Sequence, residues 1–430
     1  MSIARCRRPD PRRRWPAPAA LALVLLAAGC GQANNTTGRQ AASRAPASCE
    51  QVALGALTKV AQRVYMEAVR SANQQTAVRF VETSAPLAAA VAAQSPSAVA
   101  AAARTLIASG HVARLRVDDG SHELADVGSA GAVGPSFGLI RGPDGSAAGY
   151  YEVAIQTASG VALTASGLTE AQVVIRTAQG ATLAVGNNQP VPARLPAQGA
   201  VSVDGQPLDV SSFTGEAFDG GVLGVSVLRS PSSLAQYCRP TAPETVAATL
   251  GDAGTRIYRF EVDSVEGTNE LERVVENPPL LQAVAHRNPV AARRAIDALL
   301  NQHIVRIRVF ARGQALQDVG GPHVLAPLGA RLLLHGRHIG RVVISVQDDL
   351  GYFLLARRLL GLDVVIRQGA SEVLASLPGD PPALPDFGPV QIDGQSFVAY
   401  SFAAEAFPKG PLRITLLVPD AIVDQLDGAY

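Results

Sequence analysis

From residue 48 onward, apolar residues recur first at helical and then at alternating spacing, and the whole progression occurs twice. Leu57, Val60, Ala61, Val64, Tyr65 and Ala68 fall on one helical face, and Val246, Leu250, Ala253 and Ile257 do the same in a second stretch. Each stretch opens on a capping box, Ser48-x-x-Gln51 and Thr241-x-x-Glu244, whose side chains can satisfy the orphan amides of a helix start. Ser95-Pro96 and Asn288-Pro289 each put a capping residue before a proline at the first position of a further helix. Those helices end shortly before His111 and His303, and the period then falls to two. Ala113, Leu115 and Val117 oppose Arg114 and Arg116, as Val305, Ile307 and Val309 oppose Arg306 and Arg308, which predicts a strand with one packed face. "ELADV" and "ALQDV" follow a Gly-containing turn as partner strands. A loop comes next, then "YYEVAIQT" or "RVVISVQD", a short helical segment and three more strands. The predicted class is α+β: in each copy, N-terminal helices followed by a mostly antiparallel sheet of about five strands, with one helix inserted.

The two copies align almost without gaps. His111, Arg114, Arg116 and Asp126 match His303, Arg306, Arg308 and Asp318 at a spacing of 192. "VVIR" at Val173 returns at Val364 after 191, and "SFTGEAF" at Ser212 returns as "SFAAEAF" at Ser401 after 189. This period far exceeds that of solenoid repeats, so each copy is expected to be a domain. The 430 residues suit two such units. The expected divisions are 48–230, a linker at 231–240, 241–419 and a tail at 420–430.

The order of helix, strand, Gly turn, strand, variable loop and long central strand resembles the Cache family of extracytoplasmic sensor domains, with their PAS-like sheet. "VRIRVFARGQALQDVGG" and "GRHIGRVVISVQ" carry the likeness. It covers both copies and departs from double-Cache receptors in that those share one long helix, whereas here each copy has its own. The resemblance implies a ligand between the sheet and the loop-and-helix segment crossing it. In copy two that points to "GGPHVLAP" and the end of "SVQDDLGY" as walls. Arg306 and Arg308 share a face where guanidinium forks can clamp a carboxylate. Asp318, His323, Gln347, Asp348 and Tyr352 would add polar contacts. The plainer reading of the arginines is a solvated strand face. Copy one offers the small residues "GSAGAVGPSFG" and has Thr157 where copy two has Asp348, so copy two is expected to hold the better site.

Charge changes the picture at the N-terminus. The net charge is +1, but the first 29 residues carry a surplus of five positive charges, leaving the remainder near −4. Such a body has no electrostatic case for nucleic acid. The basic leader runs into "AALALVLLAAGC", which has the length of a signal-peptide core and is too short to span a bilayer. Its end resembles the lipobox of bacterial lipoproteins. That implies a signal peptide over 1–29, lipid on Cys30, and a flexible tether to residue 47 on the extracytoplasmic face of the cell membrane. An ordinary secretory signal is the alternative. Of four cysteines, Cys6 leaves with the leader and Cys30 carries lipid, so Cys49 and Cys238 remain and are expected to pair as a disulfide.

No reaction signature is present: H-E-x-x-H, G-x-S-x-G, Walker A and C-x-x-C are all missing. His335-x-x-His338 reads as a surface turn sooner than as a zinc site. With only Lys59 and Lys409 there is little basis for Schiff-base chemistry. The expectation is a non-catalytic ligand-binding or sensory lipoprotein without cofactor or metal, its membrane contact made by the lipid and its signal passed to a partner protein. The alternative is a structural or interaction protein of the cell envelope without a small-molecule ligand.

Overall fold

Two long amphipathic helices, Cys49–Arg70 and Ala242–Val262, open the two copies where the capping boxes put them. Both boxes form: Ser48 and Thr241 accept from the amides of Gln51 and Glu244, whose side chains reach back to the amide of the cap. This computed structural model describes residues 47–422 apart from 188, 302, 323, 370 and 378–382. The expected signal peptide, Cys30, most of the tether and His323 lie outside the described residues.

The two leading helices pack against each other. Their apolar faces meet the inserted helices, Ala158–Thr169 and Asp349–Leu359, and the inner faces of two five-stranded sheets. Leu57, Val60, Val64, Val246, Leu250 and Ile257 join Ile175, Val225, Ile414 and Leu416 in one core. Each such side chain contributes about 1.5–3 kcal/mol when fully buried. The copies therefore have a common core here.

Each copy ends in an antiparallel five-stranded sheet. In copy one the order is Thr182–Val185, Gln172–Thr177, Val222–Arg229, Gln206–Glu216, Gln198–Val203; in copy two it is Ser371–Ala375, Asp363–Gln368, Pro411–Pro419, Gln395–Glu405, Phe387–Ile392. Ahead of the inserted helix each copy also has a four-stranded sheet. Its order is Glu123–Gly128, Arg114–Asp118, Ala147–Ala154, Ser136–Arg141 in copy one, and Gln314–Gly320, Arg306–Ala311, Arg337–Asp348, Val324–Leu334 in copy two. Three short helices cover one face of it: Ala72–Glu82, Ala85–Ala92 and Pro96–Ala108, or Val265–Val275, Pro278–Ala285 and Pro289–Leu299. Leu115, Val117 and Val153 pack beneath the first set, and Ile307, Val309 and Ile344 beneath the second. By strand alternation the arginines stand on the opposite face.

Two repeated details have backbone causes. Gly128 and Gly320 adopt φ of +124° and +130°, and a Cβ at either would lie 2.3 Å from the carbonyl oxygen of Ala113 or Val305. Only glycine fits there. Asp204-Gly205 and Asp393-Gly394 all have positive φ and close the tight hairpins inside "VDGQ" and "IDGQ". The expected disulfide is present: Cys49 and Cys238 are joined, with α-carbons 5.5 Å apart.

Candidate functional site

The uncovered faces of the two four-stranded sheets are equivalent in register and opposite in charge. The pair Arg-x-Arg is common to both. Arg114 donates to Asp126 at 2.8 Å from Nε, and Arg306 grips Asp318 with Nε and Nη2, both at 2.7 Å. Each of these arginines also lies over an aromatic ring brought from the far end of the copy, Phe218 at 4.4 Å and Phe407 at 4.7 Å. The rings reach the sheet because Ala217 and Ala406 bridge to Val133 and Leu325.

Around this shared core the side chains diverge. Opposite Arg116 stands Glu152; opposite Arg308 stands Val343. One step further, Tyr150 and Leu139 of copy one become Arg341 and Arg331 of copy two, and Phe137 becomes Gly329. Asp219, beside Phe218, has Pro408 as its counterpart. Copy one thus gathers Asp118, Glu123, Asp126, Glu152 and Asp219 about Arg114 and Arg116. Copy two sets Arg306, Arg308, Arg331 and Arg341 against Asp318.

In copy one these groups line an open cleft of about 500 Å³, floored by Arg116 and Glu152 and walled by Asp118, Phe137, Leu139, Tyr150 and Asp219. Phe137 is 58% exposed and Tyr150 50%, an apolar rim without cover. Glu152 is buried beneath them, accepts from the amide of Asp219 at 2.7 Å, and lies 3.3 Å from Arg116. Burial pushes its carboxyl above the usual carboxylate range, against the pull of Arg116 and Arg114. Asp126 goes the other way, held low by its hydrogen bonds from Arg114.

The residues singled out in copy two fall into two groups. Arg306, Arg308 and Asp318 share one face, where the Arg306 fork is already closed by Asp318 and its Nη1 donates to the Pro322 carbonyl at 3.0 Å. A ligand carboxylate would have to displace Asp318. Gln347 is buried at the end of the same face. Asp348 caps the inserted helix through the amide of Gly351, and Thr157 caps its counterpart through Gly160. The exchange of Thr157 for Asp348 is therefore one helix cap for another, and carries no sign of a ligand site. Tyr352 points into the shared core, fully buried, and donates to the Gly254 carbonyl at 3.1 Å.

Sequence reasoning missed Glu152, Tyr150, Phe137 and Asp219. One signal was available. Glu152 interrupts "GYYEVAIQT", an otherwise apolar central strand, and a charged residue at a buried strand position calls for a partner. Among the described residues no group of three His, Cys, Asp or Glu could hold a metal ion, and no helix is long and apolar enough to cross a membrane.

No family model matches the chain, and no curated protein does either. Solved extracytoplasmic sensor domains are similar at low identity. The periplasmic domain of Vibrio cholerae LuxQ is 12% identical, with 40% of this chain and 100% of that chain covered at a TM-score of 0.30. The ligand-binding domain of the Pseudomonas fluorescens chemoreceptor CtaA in complex with L-isoleucine is 11% identical, covering 43% and 99% at 0.26. The ligand-binding domain of Mlp24 with asparagine is 11% identical, covering 41% and 95% at 0.23. TM-scores of this size carry no functional weight.

Proposed function

We propose that this protein is a lipid-anchored, extracytoplasmic binding protein of the sensory type, non-catalytic, built from two Cache-like copies and passing its signal to a partner protein. Its site is the cleft of copy one, and its ligand is a small organic cation, an amine with an apolar body. One observation carries this reading: a buried carboxylate, Glu152, at the floor of a cleft with an aromatic rim. An ammonium group there would meet Glu152 and Asp219, with Tyr150 and Phe137 offering ring faces to it. Arg114 is already paired with Asp126, and Arg116 with both Glu152 and Asp219, so the two arginines would hold those acids in place. Copy two, with four arginines on the equivalent face, suits an anion such as a carboxylate, at Arg308, Arg331 and Arg341 sooner than at the closed fork of Arg306.

Calorimetry of the full chain with primary and quaternary amines tests the reading. Glu152→Gln is expected to weaken amine binding by about tenfold or more, the loss of one charge-assisted hydrogen bond. Binding should also weaken on acidification at a pH above the usual carboxylate range, because the protonated form of Glu152 is the one burial favours. Equal affinity in Glu152→Gln, or no heat with any amine, would leave the cell-envelope interaction protein as the better account. Anchoring has its own test. Cys30→Ser is expected to move the protein out of the membrane fraction and to abolish labelling by a fatty-acid analogue. A mutant that stays labelled would exclude Cys30 as the lipid site.

A further inference from the structure

The seam between the two leading helices contains two nearly equivalent ion-pair positions, and one of them has lost its acids. At the intact position Arg256 pairs with Asp252, one helical turn before it, and lies 2.8 Å from Glu170 just past the inserted helix of copy one. It also donates to the Leu168 carbonyl at 3.0 Å. The equivalent arginine of copy one, by the spacing of the two capping boxes, is Arg63. Where Asp252 stands, copy one has Lys59; where Glu170 stands, copy two has Gly361. The guanidinium of Arg63 lies against Gly361, so a Cβ there would displace it.

Both carboxylates are thus replaced, one of them by a second cation. Lys59 donates to Gln62 at 3.2 Å, and among the described residues neither Lys59 nor Arg63 has an acidic partner. Arg63 is half-buried, and burial with no compensating charge lowers its pKa. A guanidinium that no described acid compensates is costly in such a place, so a position that keeps it invites an anion. Space for one is there. Lys59 and Arg63 flank a small, largely enclosed cavity of about 180 Å³, walled by Ala56, Val60, Val246, Leu250, Leu360 and Ile422. Val60, Val246 and Leu250 belong to the shared core.

We propose that this cavity is a binding site for a short aliphatic monocarboxylate, whose carboxylate replaces the acids missing from Lys59 and Gly361 and whose chain fills the apolar end. At about 180 Å³ the cavity is smaller than the pockets of drug-sized ligands and suits a small acid. The walls come from both copies, so the ligand would bridge the leading helices. The site is separate from the cleft of copy one and does not depend on what that cleft binds.

Butyrate is the probe, with n-butanol and sodium chloride at matched concentration as controls, read by the thermal midpoint and by calorimetry on the full chain. Butyrate is expected to raise the midpoint with concentration, as a ligand of the native state does, while butanol and chloride do not. Arg63→Gln should weaken butyrate by about tenfold or more. Lys59→Asp rebuilds the Asp252–Arg256 pattern within one helix. It is expected to raise the midpoint of the free chain and to remove the response to butyrate, a combination that failed folding cannot produce. The proposal is overturned if butanol acts like butyrate, if butyrate does nothing to the wild type, or if Lys59→Asp keeps the full response.

Discussion

Replacing Cys49 and Cys238 together by alanine is expected to lower the stability of the folded chain by about 5 kcal/mol at most, the value for closing a loop of this length in the chain-entropy account. The two cysteines are 189 residues apart and bracket almost all of copy one. Cys49 is the first residue of the leading helix, and Cys238 follows the short helix Pro231–Ala235 that leads out of copy one. The bond therefore ties the start of the copy to its end. What it ties down matters to the core. Leu234 and Tyr237, just before Cys238, are buried among the leading helices, and the Tyr237 hydroxyl donates to Asp252 at 2.7 Å. Copy two has Ala242 where copy one has Cys49, so the clasp has no counterpart there. Urea unfolding of the oxidised wild type and the double alanine variant measures the effect, and using both substitutions leaves no odd thiol to confuse it. Equal midpoints would mean that the shared core already holds these ends and the bond constrains nothing further.

Much of the architecture could be read from local pattern, because its causes are local. The capping boxes at Ser48 and Thr241 form as read, since an N-cap needs only residues three apart. The alternation around Leu115 and Ile307 gave strands with arginines on the open face. What stayed hidden was which strands pair. The four-stranded sheet joins 114–118 to 147–154 across a long gap, and nothing in either segment names its neighbour. The same limit applied to the site. Two guanidinium forks on one face suggest a ligand clamp, and in both copies the first fork is held by a cross-strand Asp beneath Phe218 or Phe407. The informative positions were those where the copies differ, such as Glu152 against Val343 and Lys59 against Asp252. A duplicated chain keeps what the fold needs in both copies and is free to vary the rest.

Tyr352 separates those two kinds of position, and its substitution is expected to damage folding far more than binding. The side chain is fully buried, its ring 6.4 Å from that of Phe402 and its hydroxyl on the Gly254 carbonyl of the leading helix. It therefore pins the inserted helix of copy two to the helix that begins that copy. At Gly254 the fit is close: a Cβ there would collide with Leu416. Tyr352→Phe keeps the ring and loses one hydrogen bond, a cost of about 1 kcal/mol. Little more is expected, because a helical carbonyl such as that of Gly254 retains its backbone donor. Tyr352→Ala empties the ring volume in a close-packed core, which for an aromatic side chain costs about 3–5 kcal/mol. Denaturant unfolding of the two variants should show this graded loss, alanine well beyond phenylalanine. A ligand contact behaves otherwise: removing it leaves the unfolding midpoint in place and lowers affinity alone. If Tyr352→Ala unfolds with the wild type and merely loses a ligand, then Tyr352 belongs to a binding site and its place in the shared core is wrong.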